Sequence, residues 1–90
     1  MSHVAGQKRK LVARVRRIKG QLDAAERALE AEASCAEVLR LIASAQGALN
    51  GLTLEVMENH LRAHVLEAKA GDARRRAGEE LIDVMRSYMK

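Results

Sequence analysis

The stretch Ser34–Val65 reads SCAEVLRLIASAQGALNGLTLEVMENHLRAHV. It opens beside the only cysteine, Cys35, and closes just after two of the three histidines, His60 and His64. It contains no proline, and Val38, Leu41, Ile42, Ala45, Leu49, Leu52 and Val56 recur every three or four positions, so it is expected to form one helix over about 35–66. Ser34 followed by Glu37 has the S-x-x-E form of a capping box, which makes Cys35 the first helical residue. A helix N-terminus favours a thiolate, as a metal ligand or nucleophile requires; the same small residue beside a cap also reads as ordinary half-buried packing. With Leu39, Ala48 and Met57 included, the apolar arc approaches roughly 200°, wider than the ~100° stripe of a helix buried on one side. This helix is therefore expected to be packed on two sides, by its own chain and by a second subunit.

The reactive side chains on this helix constrain each other. At about 100° per residue, Cys35 and His60 project within roughly 20° of one another, and His64 joins them four residues on. At about 1.5 Å per residue they are also roughly 37 Å apart along the axis. Two antiparallel copies would bring Cys35 of one against His60 and His64 of the other and create two equivalent sites. His60 and His64 form an H-x-x-x-H pair able to share a metal, but Leu61 stands where a zinc protease needs glutamate. Gly47 and Gly51 project about 120–160° away from Cys35, so their G-x-x-x-G spacing marks a different side.

Working outward, a first helix is expected over about 6–31, with Leu11, Val15, Ile18, Leu22, Ala25 and Leu29 as its buried stripe. Lys10, Arg14 and Arg17 flank that stripe on one side, and Arg9, Arg16 and Lys19 on the other. Residues 1–4 read as a short lead. Removal of Met1 would leave a Ser2 amine which, with a backbone nitrogen and the His3 imidazole, can chelate a divalent ion; a solvated terminus is the simpler reading of these residues alone. A third helix is expected over about 73–89, with Gly71 ending the second helix, Asp72 as N-cap and Ala77, Leu81, Val84 and Tyr88 as its stripe. Arg74, Arg75 and Arg76 either extend the basic surface or are merely solvated.

Composition points the same way. Ninety residues make one small domain, and a chain without proline, tryptophan or phenylalanine and with one tyrosine favours helix over strand. Its apolar side chains are too small to build a large core alone, and one cysteine supplies no disulfide, so oligomerisation is the expected staple. No stretch of 18 apolar residues and no apolar leader is present, which reads as a cytoplasmic protein without a membrane partner. Residues 1–22 carry seven bases and no acid, whereas 23–72 carry nine acids and four bases. The basic segment implies a polyanionic partner, and the lack of interleaved aromatics favours the backbone of duplex DNA over single strands. Nothing marks an enzyme: there is no Gly-rich loop and no group placed to orient a base.

Four blocks, RVRRIKGQL (Arg14–Leu22), SCAEVLRLIA (Ser34–Ala43), GALNGLTLEV (Gly47–Val56) and HLRAH (His60–His64), resemble the CsoR/RcnR/FrmR family of bacterial repressors over nearly the whole chain. The resemblance implies an all-α fold of three helices per chain, with antiparallel helical-bundle dimers assembling into a disc-like tetramer. It implies binding of double-stranded operator DNA through helix-1 bases, here Lys10, Arg14, Arg16, Arg17 and Lys19, and release when an inducer occupies the cysteine site. The combination His3, Cys35, His60 and His64 is most similar to the nickel/cobalt-sensing branch. Copper sensors place a second cysteine at position 64, and formaldehyde sensors a glutamate. The expected inducer is thus Ni(II) or Co(II), with Zn(II) compatible with the same donors. The alternatives are a formaldehyde sensor using Cys35 on the same scaffold, or a basic nucleic-acid-binding protein with no ligand.

Overall fold

A computed structural model of the protein describes the backbone of residues 2–88 and the side chains of residues 6–88. Among them are three α-helices and no strand: α1, Ser2–Glu30; α2, Cys35–Leu61; and α3, Asp72–Tyr88. One widened turn, Arg62–Leu66, continues α2, and there hydrogen bonding steps to i+5, with the Glu67 N–H donating to the Arg62 carbonyl at 2.9 Å. The chain forms two compact units, residues 1–53 and 54–90.

In the first unit, α1 starts at Ser2 rather than near Gly6. The residues ahead of Gly6 include no proline, so nothing covalent stops the helix earlier. At its other end the Ala33 N–H donates to the Ala28 carbonyl (2.9 Å) and the Glu32 N–H to the Leu29 carbonyl (3.1 Å), a paired reversal that satisfies carbonyls left over by the last turn. Such a reversal needs a left-handed residue, and Glu32 supplies it with φ of 56°, where glycine would avoid a cost of about 1–2 kcal/mol.

Ser34 then starts α2. Its Oγ accepts the Glu37 N–H at 3.2 Å, and its carbonyl accepts the Val38 N–H at 3.1 Å. The Glu37 carboxylate pairs forward with Arg40 at 2.9 Å. The serine half of the box is the half that holds the helix. Ser34→Ala is expected to cost about 1 kcal/mol and to lower the thermal midpoint by about 4–8 °C, read by circular dichroism; an unchanged midpoint would show that the cap carries no stability.

Two contacts align α1 with α2. Gln21 Nε2 donates to Ser44 Oγ at 3.1 Å, and the Arg14 guanidinium lies over Gly51. Between these contacts α1 advances seven residues while α2 retreats seven, which is an antiparallel hairpin. Ile18, Ala25, Val38 and Ala45 are its buried residues. On α1 the seam runs through Leu11, Arg14, Ile18, Gln21, Ala25 and Ala28, all buried or half-buried. Three positions of the expected stripe face solvent instead, Val15, Leu22 and Leu29, and so does Val12. The reason is steric: the small side chains of Ala25 and Ala28 on α1, and of Ala45 and Ala48 at other levels of the seam on α2, suit close approach of the two helices, which Leu22 and Leu29 in the seam would oppose. The wide apolar arc of α2 divides accordingly. Val38, Leu41, Ala45, Ala48 and Leu52 face the hairpin, while Leu39, Ile42, Leu49 and Val56 are exposed.

In the second unit the widened turn packs on α3. The Gly71 carbonyl accepts the Arg75 N–H at 3.1 Å, so Gly71 is the N-cap and Asp72, expected in that role, is the first residue of α3. The Gly71 φ of 142° lies where a side chain would be strained, which explains glycine there. Helical hydrogen bonding of the preceding segment ends at the widened turn, before Gly71. Ala77 and Leu81 are half-buried, whereas Val84 and Tyr88 are exposed.

Candidate functional site

Cys35 is the first residue of α2, a free and exposed thiol. His60 occupies the last turn of the same helix, and His64 lies in the widened turn that follows. Their rings approach to 5.1 Å between centroids, tilted by 46°. The four-residue spacing thus places two imidazoles side by side across the change from α to i+5 bonding, a departure frequent at functional sites.

His60 is held by a contact that the sequence did not reveal. Its Nε2 lies 3.0 Å from the main-chain carbonyl oxygen of Ala77, in α3. A carbonyl only accepts, so Nε2 carries the proton and Nδ1 keeps its lone pair in the neutral ring. This is the arrangement that orients a ligating histidine, with one nitrogen held by a second group and the other free for a metal. Val56, Met57, Glu80, Leu81 and Val84 line a hollow of ≈ 150 Å³ beside the ring. Glu80 is the only carboxylate in that lining. The helical pattern of α3 does not single it out, because its place beside His60 depends on how α3 packs.

The ligand set expected from the sequence is not assembled within one copy. Among the described residues no group of three or more His, Cys, Asp or Glu is placed to hold a metal. His60 and His64 come together, and Cys35 belongs to the other compact unit. The His3 side chain lies outside the described residues.

The bases of α1 are also sorted by the fold. Lys8, Arg9, Lys10, Arg16, Arg17 and Lys19 are exposed, whereas Arg14 is half-buried in the hairpin seam. A Cβ at position 51 would stand 3.0 Å from Arg14 Nη2, a tight contact that the flexible guanidinium would relieve by shifting a few tenths of an ångström. Lys10 and Arg14 are each engaged in an interaction within the chain. Lys8, Arg9, Val12, Ala13 and Arg16 surround an open hollow of ≈ 430 Å³ on α1.

Residues 7–87 match the model of the metal-sensitive transcriptional repressor family. The chain belongs to that family. Members of this repressor family regulate transcription rather than catalyse a reaction, in keeping with the absence of enzyme motifs. The chain is 50% identical over 91 residues to an uncharacterized protein in the bioA 5′ region of Serratia marcescens, covering the full length of both. It is 39% identical over 90 residues, again full length in both, to the transcriptional repressor RcnR of Citrobacter koseri. Among solved structures it is similar to a glutamate-to-histidine variant of the formaldehyde-responsive regulator FrmR from Salmonella enterica serovar Typhimurium. That likeness has a TM-score of 0.83 at 41% identity, over 90% of this chain and 92% of the other. These relatives agree with the CsoR/RcnR/FrmR resemblance and with an all-α repressor fold. No helix among the described residues is long and apolar enough to cross a membrane.

Proposed function

We propose that this repressor binds operator DNA without metal and releases it when Ni(II) or Co(II) occupies a site shared between subunits. The observation that carries the reading is the exposed register of α2. Leu39, Ile42, Leu49 and Val56 remain uncovered by their own chain, and Cys35 and His60 extend the same four-three spacing at its two ends. An antiparallel copy laid along that register covers the apolar residues and sets Cys35 of one subunit against His60 and His64 of the next. Dimer formation and completion of the site are then one event, and two dimers form the tetramer.

The donor set fits the metal class. One thiolate and two imidazoles make a borderline-soft set, sufficient for tetrahedral Zn(II). His3 with the terminal amine and a backbone nitrogen raises the coordination number to one that Ni(II) or Co(II) accepts. α1 begins at Ser2, so the first amide nitrogens are not engaged within the helix and remain available to a ligand. In this reading His60 binds through Nδ1 while Ala77 keeps its Nε2–H, and Cys35 supplies the sulfur. Lys10, Arg14, Arg16, Arg17 and Lys19 of α1 carry the phosphate backbone of duplex DNA, in a cytoplasmic setting that also keeps the thiol reduced.

Formaldehyde is the second reading, favoured by the exposed free thiol of Cys35 and by the formaldehyde-responsive relative. One titration separates the two. Protein is bound to a labelled duplex selected from a random pool, and Ni(II), Co(II), Zn(II) or formaldehyde is added while anisotropy is followed. Release by Ni(II) or Co(II) at concentrations where formaldehyde leaves the complex intact supports the metal reading. Release by formaldehyde where no metal acts would sink it.

A further inference from the structure

The two breaks in the chain carry opposite charge that nothing within one copy neutralises. Ahead of Cys35, Glu30 ends α1 and Glu32 lies in the reversal that follows, both exposed. Beyond His64, the exposed Arg74 stands in the first turn of α3. Among the described residues no hydrogen bond or ion pair engages the side chains of Glu30, Glu32 or Arg74, whereas Arg75 approaches both Asp72 and Glu79 at 3.9 Å. Glu30 sits at the negative end of its helix dipole and Arg74 at the positive end of its own, so each charge is placed against the field of its own helix. An opposite charge from outside relieves both.

The packing of α3 sets the level of Arg74. The Ala77 carbonyl reaches His60, a Cβ on Gly78 would meet Val65 Cγ2 at 4.0 Å, and Leu81 and Val84 share a hollow with Val56 and Met57. Rising numbers in α3 therefore run against falling numbers in the segment that carries the histidines. Arg74 is one turn ahead of Ala77 and Gly78 on the same face, about 20° from Leu81 on the helical wheel, and so overhangs the end that lies past His64. Arg76 aligns instead with Glu79 and Asp83 on the opposite, exposed face. In the antiparallel arrangement proposed above, Cys35 of the next subunit stands opposite His60 and His64. The residues just ahead of that cysteine, 30–34, then continue past the same end.

We propose that Arg74 of one subunit clasps Glu30 and Glu32 of the next, twice per dimer, beside each Cys35/His60/His64 site. The inference rests on the antiparallel reading and deepens it by naming what fixes its register. Ile42, Leu49 and Val56 repeat every seven residues, so a slip of seven would still cover most of the apolar line. A charged contact at one level has no such repeat, and opposite charges across an interface fix register in this way. Because α3 also holds His60 through the Ala77 carbonyl, the clasp ties the orientation of that histidine to the presence of a second copy. Duplex DNA is the competing occupant for an exposed arginine, and the test separates the two.

The test is a charge swap in the full chain, with assembly read by sedimentation and helix content by circular dichroism. One variant is Glu30→Lys, Glu32→Lys and the other is Arg74→Glu. The changes at 30 and 74 each put a charge where its own helix dipole favours it, so folding is expected to survive. Each variant alone sets like charges against each other at both contacts and is expected to self-assemble at least about tenfold more weakly than the wild type. In an equimolar mixture both contacts of the mixed dimer are complementary again, and assembly is expected to return to within about threefold of wild type. Arg76→Glu, an equal change of charge on the far face of α3, is expected to assemble as the wild type does. Wild-type assembly of either swap alone, or a mixture that stays as weak as its components, overturns the clasp while the antiparallel reading stands. So does an Arg76→Glu protein as weak as Arg74→Glu, and so does an Arg74→Glu protein that assembles normally but loses affinity for a labelled duplex. A wild-type protein that stays monomeric overturns both.

Discussion

The Cys35→Ala protein is expected to hold DNA as tightly as the wild type and to keep holding it when Ni(II) or Co(II) is added. Cys35 is the only thiol in the chain, exposed at the start of α2 and remote in sequence from the bases of α1. Its removal leaves the paired imidazoles of His60 and His64, a weaker and harder donor set. Even changes behind the ligands lower metal affinity by about 10–100-fold, so loss of the thiolate itself is expected to cost at least about a hundredfold. The metal-driven weakening of DNA binding, typically about 5–150-fold for a coupled pair of sites, is then absent at metal concentrations that saturate the wild type. Anisotropy of a labelled duplex during metal titration reads the release, and the thiolate-to-metal absorption band reads the sulfur. His64→Leu sharpens the test, because it removes a proposed metal ligand without touching the nucleophile an aldehyde needs. A metal response that survives Cys35→Ala rejects the site.

Ile42→Glu is expected to separate subunits without unfolding them. Ile42 is 43% exposed in one copy and belongs to the uncovered register of α2, whereas Val38 and Ala45 of the same helix are buried in the hairpin. A carboxylate buried there between two copies meets no partner and is expected to weaken each dimer contact by at least about 3 kcal/mol, roughly a hundredfold or more in its dissociation constant. Sedimentation equilibrium should show monomer at concentrations where the wild type is assembled. Helix content should persist, and metal affinity should drop as far as in the Cys35→Ala protein. An assembled Ile42→Glu protein, or a monomer that binds metal normally, shows that the outer register of α2 is not where the site is completed.

Much of the backbone was legible locally. The break after α1, the serine cap and the start of α2 at Cys35 all follow from a few adjacent residues, Glu30 to Glu37, whose side-chain chemistry acts over one turn. The burial pattern of α1 was less legible because two stripes share Leu11, Ile18 and Ala25 and differ only in the positions between. Hydropathy favours Val15, Leu22 and Leu29; closeness of approach favours Arg14, Gln21 and Ala28, and it prevails within the chain. Apolarity says that a face is covered but not whether a neighbouring helix or another copy covers it. The widened turn at Arg62–Leu66 left no mark in composition, since RAHVL contains neither glycine nor proline. His60 and His64 could be paired from their spacing, while the carbonyl that orients His60 is seventeen residues further along and depends on how α3 packs.

That carbonyl has a genetic consequence. The group that fixes the proton on His60 belongs to the main chain of residue 77, so exchanging the alanine side chain leaves the acceptor in place. An alanine scan of α3 would pass over it, because the acceptor is the main-chain carbonyl of a residue that is already alanine. Selection at position 77 therefore acts on the space its half-buried side chain occupies and not on the acceptor, and only a change that moves α3 itself can erase the contact.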